Sequence, residues 1–476
     1  LSDLVSIRTT GYRQDKPFGA RIEPVESLLL FVGLVVILQT FRTYLLGADT
    51  VTNATAVAGE GGNLLFQAVT LAIYGPAVAL LVLRMPAWLP NMLIASWPLL
   101  ALVFLAALSG LWSPDLGTVL RRALALGLTM GFAIYVVARF EFSEFLRILF
   151  LACAFYVLCG YLASAIPGVG ITPPGKHGYT WRGFTGFKND FGRTLALILA
   201  SGVVFAFVGP QPWRRFGLLL ALFAAPLLYM TESSTAMLTA IAAIAGALCL
   251  GLVFQPRWGN IRFGLDLKIL AVGIVLLSVF FVAAIGLETV AQAFGKTVTL
   301  SGRTKLWAYA FEIGLEQPIL GSGFRAFWND KLAATFTALF FWDDAVDSDL
   351  KTPGNGHNGY LDIFLELGLV GIVLYAILQI SALRRIAACL QRGHMPEGIA
   401  LAMIVSFLLI YSIPERVTLQ HTEGVWFTFM LYYLYAGRAV HSAEGSAAGV
   451  MPRATNAGAS RRRRARLRHQ SPIHDQ

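Results

Sequence analysis

Charge and sulfur are scarce in this chain. Only 13% of its 476 residues are Asp, Glu, Lys or Arg, while 56% are hydrophobic and the mean hydropathy is +0.65. A water-soluble domain cannot hide that much apolar surface, so a polytopic membrane protein is expected. Cysteine is limited to Cys153, Cys159, Cys249 and Cys389. The first three lie in apolar runs and Cys389 stands beside a basic stretch, which argues against a disulfide-stapled outer domain. No cleavable signal peptide is expected. The formal net charge of +10 comes mainly from short loops and the last segment. That distribution suits topology signals rather than a nucleic-acid footprint, and no nucleic-acid partner is expected.

What is plentiful is apolar sequence. Runs near 25–46, 64–83, 92–111, 116–138, 145–166, 191–209, 216–231, 234–254, 267–287, 358–380, 397–413 and 421–440 predict about twelve transmembrane helices in an all-α polytopic membrane protein. The run at 216–231 is short, and the 231–234 connection after it is very tight. Arg8, Arg13, Lys16 and Arg21 precede the first span. Arg84, the Arg139–Arg147 connection, Arg214-Arg215, Arg257/Arg262/Lys268 and Arg384/Arg385/Arg392 mark every second loop, while the loops between carry Asp49, Glu60, Asp115 and Glu232. By the positive-inside bias both termini are cytoplasmic. The domain frame is then a cytoplasmic segment at 1–24, transmembrane helices one to nine at 25–287, a large periplasmic loop with short helices at 288–357, helices ten to twelve at 358–440, and a basic cytoplasmic tail at 441–476. That tail ends in Arg461-Arg462-Arg463-Arg464. It reads as a disordered, solvated segment, or as a contact for anionic membrane lipid.

Polar chemistry collects on the outer side. Gly175-Lys176-His177-Gly178-Tyr179-Thr180-Trp181-Arg182-Gly183 leads through Lys188-Asn189-Asp190 into the sixth span, with glycines that let backbone approach a ligand and with two cations that either bind it or snorkel at the interface. Ser301-Gly302-Arg303-Thr304-Lys305-Leu306-Trp307 opens an amphipathic run in which Leu306, Tyr309, Ala310 and Ile313 share a face, so a helix across the bundle or on the membrane is expected. Arg303 near its start suits an anion. Gly354-Asn355-Gly356-His357-Asn358-Gly359-Tyr360 enters span ten, and Asp362 and Glu366 follow on one face of it. Acidic side chains in a spanning helix are expensive and are candidates for function. Asp343-Asp344 and Asp347-Ser348-Asp349 read as a solvated acidic turn rather than a metal site, since no spaced histidine accompanies them. Ser233-Ser234 sits at a helix start, where capping accounts for it.

Taken in order, these pieces resemble the O-antigen ligase/polymerase family, and exopolysaccharide-production polymerases most of all. The resemblance rests on Leu111-Trp112-Ser113-Pro114-Asp115 with Arg121-Arg122, on Trp181-Arg182-Gly183-Phe184 with Lys188-Asn189, and on Gly302 to Trp307 with Gln317-Pro318-Ile319-Leu320-Gly321-Ser322-Gly323-Phe324. It rests further on His357-Asn358-Gly359-Tyr360-Leu361-Asp362 with Glu366-Leu367-Gly368-Leu369-Val370-Gly371. It covers roughly residues 110–375. One departure is Glu232-Ser233-Ser234-Thr235, where many relatives carry a basic residue after the serine.

The resemblance implies a GT-C-like glycosyltransferase of the bacterial inner membrane that works without a metal or other cofactor. Its donor would be a polyprenyl-diphosphate-linked glycan and its acceptor another glycan, with chain-length regulators and export machinery as further partners. His357 is then the expected base and Arg303 and Arg182 the diphosphate anchors, with Lys188, Asn189, Lys305, Trp307, Asn358, Tyr360, Asp362 and Glu366 in the substrate site. Asp362 or Glu366 would orient the imidazole or pair with an arginine. Trp181, Trp307, Tyr309 and Tyr360 would stack on sugars or form an interfacial belt. A ligase passing glycan to lipid A core and a membrane polysaccharide transporter are the alternatives.

Overall fold

A computed structural model describes residues 23–39, 64–166, 168–171, 180–209, 213–254, 300–328, 355–421 and 423–449. The expected span at 267–287, the acidic cluster at 343–349, the stretch around His177, most of the large loop, the first 22 residues and the arginine-rich tail lie outside them.

Among the described residues the architecture is helical, with a single isolated bridge between Ile171 and Trp181. The helices are α1 (Pro24–Ile37), α2 (Leu64–Leu83), α3 (Leu89–Ala95), α4 (Trp97–Leu108), α5 (Leu116–Arg139), α6 (Phe142–Ala165), α7 (Lys188–Val208), α8 (Trp213–Met230), α9 (Ser234–Phe254), α10 (Leu300–Gly314), α11 (Gly359–Gln391), α12 (Met395–Tyr411) and α13 (Gly424–Gly449). Six of them are long and apolar enough to cross a membrane, and seven crossings result if α3 and α4 form one broken span. The run at 92–111 is therefore not the straight span its composition predicts. It bends by 77° at Ser96, where Pro98 near the start of α4 has no backbone N–H to continue a helix.

Local chemistry sets the ends. Asp115 caps α5 by accepting from Thr118 N at 3.0 Å, and Glu141 with Glu144 closes a capping box on α6. The tight 231–234 connection holds, with Glu232 in the left-handed region at φ 52°. α7 and α8 cross at Gly202 and Gly217, where a Cβ on either would lie under 3 Å from the other's carbonyl oxygen. Trp426, Phe427, Phe429, Tyr432 and Tyr433 of α13 are all essentially buried. That helix is surrounded by protein, whereas α8 turns Leu218, Leu222 and Phe223 outward.

The polar contacts sort to two ends. Glu26–Arg139, Arg438–Glu141 and the Arg438–Trp88 stacking gather one end. At the other, the connection 412–423 meets the start of α7, the start of α11 and the segment 318–328.

Candidate functional site

α11 starts where Asn358 Oδ1 accepts from Tyr360 N and Leu361 N, both at 3.1 Å. Just before this cap, His357 takes a left-handed backbone, φ 47°, and its N–H donates to Asn355 Oδ1 at 2.8 Å. Such a conformation in a non-glycine residue is held only by its surroundings. The ring is anchored at Nδ1, 3.0 Å from Glu415 Oε2, with the side chain 39% exposed. An Nδ1–H donated to that carboxylate leaves Nε2 as the nitrogen able to accept a proton.

Asp362 lies one turn into α11. Its Oδ1 accepts from Trp328 Nε1 at 2.8 Å and from Gly356 N at 2.9 Å, and its Oδ2 stands 3.8 Å from Arg416. Glu366, a turn deeper, takes both Nη atoms of Arg416, Nη2 at 2.7 Å. Both acids are 1% exposed. Of the two roles expected for them, pairing with an arginine is the one observed. Orienting the imidazole falls to Glu415. Burial works against the Arg416 charge, but Glu366 and Asp362 more than offset it and raise its pKa.

Two of the aromatics are hydrogen-bonded within the protein. Trp307 Nε1 donates to Gly356 O at 2.7 Å and Tyr360 Oη to Leu409 O at 2.7 Å. The predicted face of α10 is real: Leu306 and Ala310 pack with Phe327, Trp328, Phe364 and Leu365, and Tyr309 and Ile313 flank them. The helix thus lies against α11. Arg303 and Lys305 sit in its first turns, their side chains outside the described set.

Arg182, Lys188 and Asn189 form a second group. Arg182 Nε donates to Val169 O at 3.1 Å and Nη2 to Gly168 O at 3.2 Å, and its backbone N–H reaches Gly170 O at 2.8 Å. A Cβ on the adjacent Gly183, φ 56°, would fall 2.6 Å from the Phe191 ring, so only glycine fits there. Half-buried Lys188 opens α7. Asn189 Oδ1 accepts from Ser233 Oγ at 3.3 Å, which gives that serine a partner beyond its own helix.

Both groups meet at the connection 412–423. Arg193 of α7 pairs with Asp190 at 3.0 Å and with Glu423 at 2.9 Å, and Glu415 is within its electrostatic reach. Glu415, Arg416, Arg193 and Glu423 were not singled out from the sequence. Their signal was present: charged residues inside, or in the short gap between, apolar runs.

Two further arginines approach the acids. Arg122 of α5 is buried and feels Arg416 and Glu366, and half-buried Arg325, φ 61°, feels Arg416, Arg122, Glu366 and Asp362. Desolvation and the two neighbouring guanidiniums push Arg325 well below the ordinary arginine range.

A family model described as O-antigen ligase matches residues 218–376. That range holds α10, His357, Asp362 and Glu366, and stops short of Arg182, Arg193, Glu415 and Arg416. The chain is also similar to the exopolysaccharide production protein ExoQ of Rhizobium meliloti (strain 1021), 26% identical over 266 residues. The match covers 54% of this chain, which spans 58% of that relative's length.

Proposed function

We propose, from the chain's membership of the O-antigen ligase/polymerase family, that it is an inner-membrane glycosyltransferase joining polyprenyl-diphosphate-linked repeat units into an exopolysaccharide or O-antigen. It would cross the membrane about twelve times in a GT-C-like arrangement, with both termini cytoplasmic and the site on the periplasmic side.

The observation that carries this reading is His357. Its Nδ1 is held by Glu415 at 3.0 Å and its ring is partly open. In the proposed reaction Nε2 takes the proton of an acceptor sugar hydroxyl as the oxygen attacks the anomeric carbon. The bond from that carbon to the lipid diphosphate breaks, and the diphosphate leaves with the bonding electrons. A positioned base contributes roughly 10²–10⁴-fold to such a step. Glu415 keeps the ring aimed and stabilises the imidazolium that forms. Arg303 and Arg182, with Lys188, hold the diphosphate and offset the charge growing on its oxygen. The Arg182 guanidinium keeps further N–H donors beside those directed at Val169 O and Gly168 O. Lys305, Trp307 and Asn358 complete the wall on which the glycan lies. No step requires a metal.

The match to an O-antigen ligase model favours a second reading, transfer of finished glycan to lipid A core or another acceptor. A deletion strain separates the two. Loss of a polymerase leaves single-repeat products; loss of a ligase leaves polymer of normal length that is unattached. The polymerase reading expects single repeats, and normal-length unattached polymer would overturn it.

A further inference from the structure

The segment 318–328 is wedged between two elements. On one side Ser322 N and Gly323 N donate to Leu365 O and Glu366 O, each at 3.0 Å, while Leu369 N and Val370 N donate back to Pro318 O at 2.8 Å and Ile319 O at 3.2 Å. On the other, Trp112 Nε1 donates to Leu320 O at 3.2 Å and Phe324 N to Ser109 Oγ at 2.8 Å. Three successive carbonyls, Pro318 to Leu320, thus meet protein donors, and Pro318 has no N–H to satisfy. The side chains are open instead: Ile319 is 63% exposed, and Leu320 and Leu315 are exposed with it. Engaged carbonyls beneath open apolar side chains suit lipid rather than water.

The depth of the wedge follows from α11. Arg384 is exposed, and an exposed cation stands at the edge of the hydrocarbon or beyond it. From Arg384 back to Gly368 the helix rises roughly 24 Å at about 1.5 Å per residue, against a hydrocarbon core of about 30 Å. Pro318 and Ile319, bonded to the residues just after Gly368, therefore lie inside the opposite edge. Trp112 at Leu320 O takes the place near that edge that tryptophan favours. The open apolar surface is also continuous. Leu116 and Leu120 of α5 are exposed, as are Leu369 and Val373 of α11. Both helices are long and apolar enough to cross a membrane, and 318–320 is bonded to α11 and to the approach to α5. α10 prolongs the surface. Phe311 and Leu315, one turn apart, are exposed, and Glu312 and Glu316 form the neighbouring exposed stripe. An apolar stripe edged by carboxylates is the pattern of a helix at the headgroup boundary.

We propose that Phe311, Leu315, Ile319 and Leu320 form a membrane-inserting surface. They sit among the acyl chains of the leaflet on the side of the connection 412–423, with Glu312 and Glu316 at headgroup level. A stretch that the sequence assigns to a water-facing loop is thereby a lipid anchor, and bilayer lipid backs the wedge against the break in α11. This surface rests on the crossing helices and is independent of the glycosyltransferase reading.

The test uses the full chain in phosphatidylcholine liposomes, with the native cysteines replaced. A nitroxide is placed in turn on Leu315→Cys, Ile319→Cys and Glu312→Cys, and on Leu222→Cys of α8, an exposed apolar position that serves as the lipid-facing reference. Collisions with oxygen, which concentrates among acyl chains, and with a water-soluble nickel chelate give the depth of each label. The labels at positions 315 and 319 are expected about 5–10 Å below the headgroup boundary, with oxygen the stronger collider as at position 222. At position 312 the nickel chelate is expected to be the stronger. Nickel-dominated relaxation at 315 and 319 puts them in water and overturns the proposal. Shielding of both positions from both reagents overturns it too, because protein rather than lipid then covers the face. If the cysteine-free chain fails to fold, the wild type is irradiated in liposomes containing phosphatidylcholine with a diazirine in its acyl chain. Labelling of 311–320 together with α8 supports the surface, and labelling of α8 without 311–320 overturns it.

Discussion

His357 is held at three points: its backbone N–H on Asn355, its ring on Glu415, and its neighbour Gly356 on Asp362. An Nδ1–H held on Glu415 leaves Nε2 as the proton-accepting nitrogen. Glu415→Gln keeps a polar group beside the imidazole but removes the charge that stabilises its protonated form. The expected result is a fall in kcat of about tenfold or more with KM for the donor little changed. A purely structural role for Glu415 would instead lower the melting temperature and leave kcat per folded molecule intact. Arg416 belongs to the other kind of residue. Arg416→Ala strands Glu366 and Asp362 in a buried site, and removing one partner of a buried pair costs about 3–5 kcal/mol. Thermal unfolding in detergent should show a large drop, and an unchanged midpoint would refute the pairing.

At the scale of elements, α11 is two helices joined at Gly368, where φ is 65° and ψ −162°. The break frees backbone groups that pair with Pro318, Ile319, Ser322 and Gly323, so an interrupted membrane helix keeps its polar groups satisfied. A Cβ at Gly368 would lie 2.2 Å from Ile319 O. Gly368→Ala is therefore expected to destabilise the protein by about 1–3 kcal/mol and to loosen the wedge that carries Arg325. Proteolysis at 318–328 reads that loosening directly, and wild-type resistance would count against it. The sequence shows Glu366-Leu367-Gly368-Leu369-Val370-Gly371 as ordinary apolar helix, because the break becomes favourable only when a distant segment supplies the partners. The face of α10 was legible for the opposite reason: Leu306, Tyr309, Ala310 and Ile313 follow a local period. The bend at Ser96 leaves no break in hydropathy, because the run through it is apolar on both sides.

Among the described residues, long apolar helices and a buried α13 make a bundle whose ion pairs gather toward its two ends. The helical class, the start of α11 and its two acids followed from composition and spacing. The partners of those acids did not, since Glu366 and Arg416 are brought together across two helices and a turn, and no local pattern records such a pairing. The proposed orientation makes its own prediction. With the native cysteines replaced, Asn355→Cys should react with a membrane-impermeant thiol reagent added outside spheroplasts, and Arg392→Cys should react only after the membrane is opened. The reverse pattern would invert the topology and move His357 away from a periplasmic donor.

In the proposed reaction, which joins one glycan to another, His357 is the base. The most direct test of that role is elongation of a defined lipid-linked repeat unit by purified protein, comparing the wild type with a folded His357→Ala variant. The wild type is expected to give a ladder of products, and the variant a rate lower by about 10²-fold or more. A ladder formed at the wild-type rate without the imidazole would contradict it.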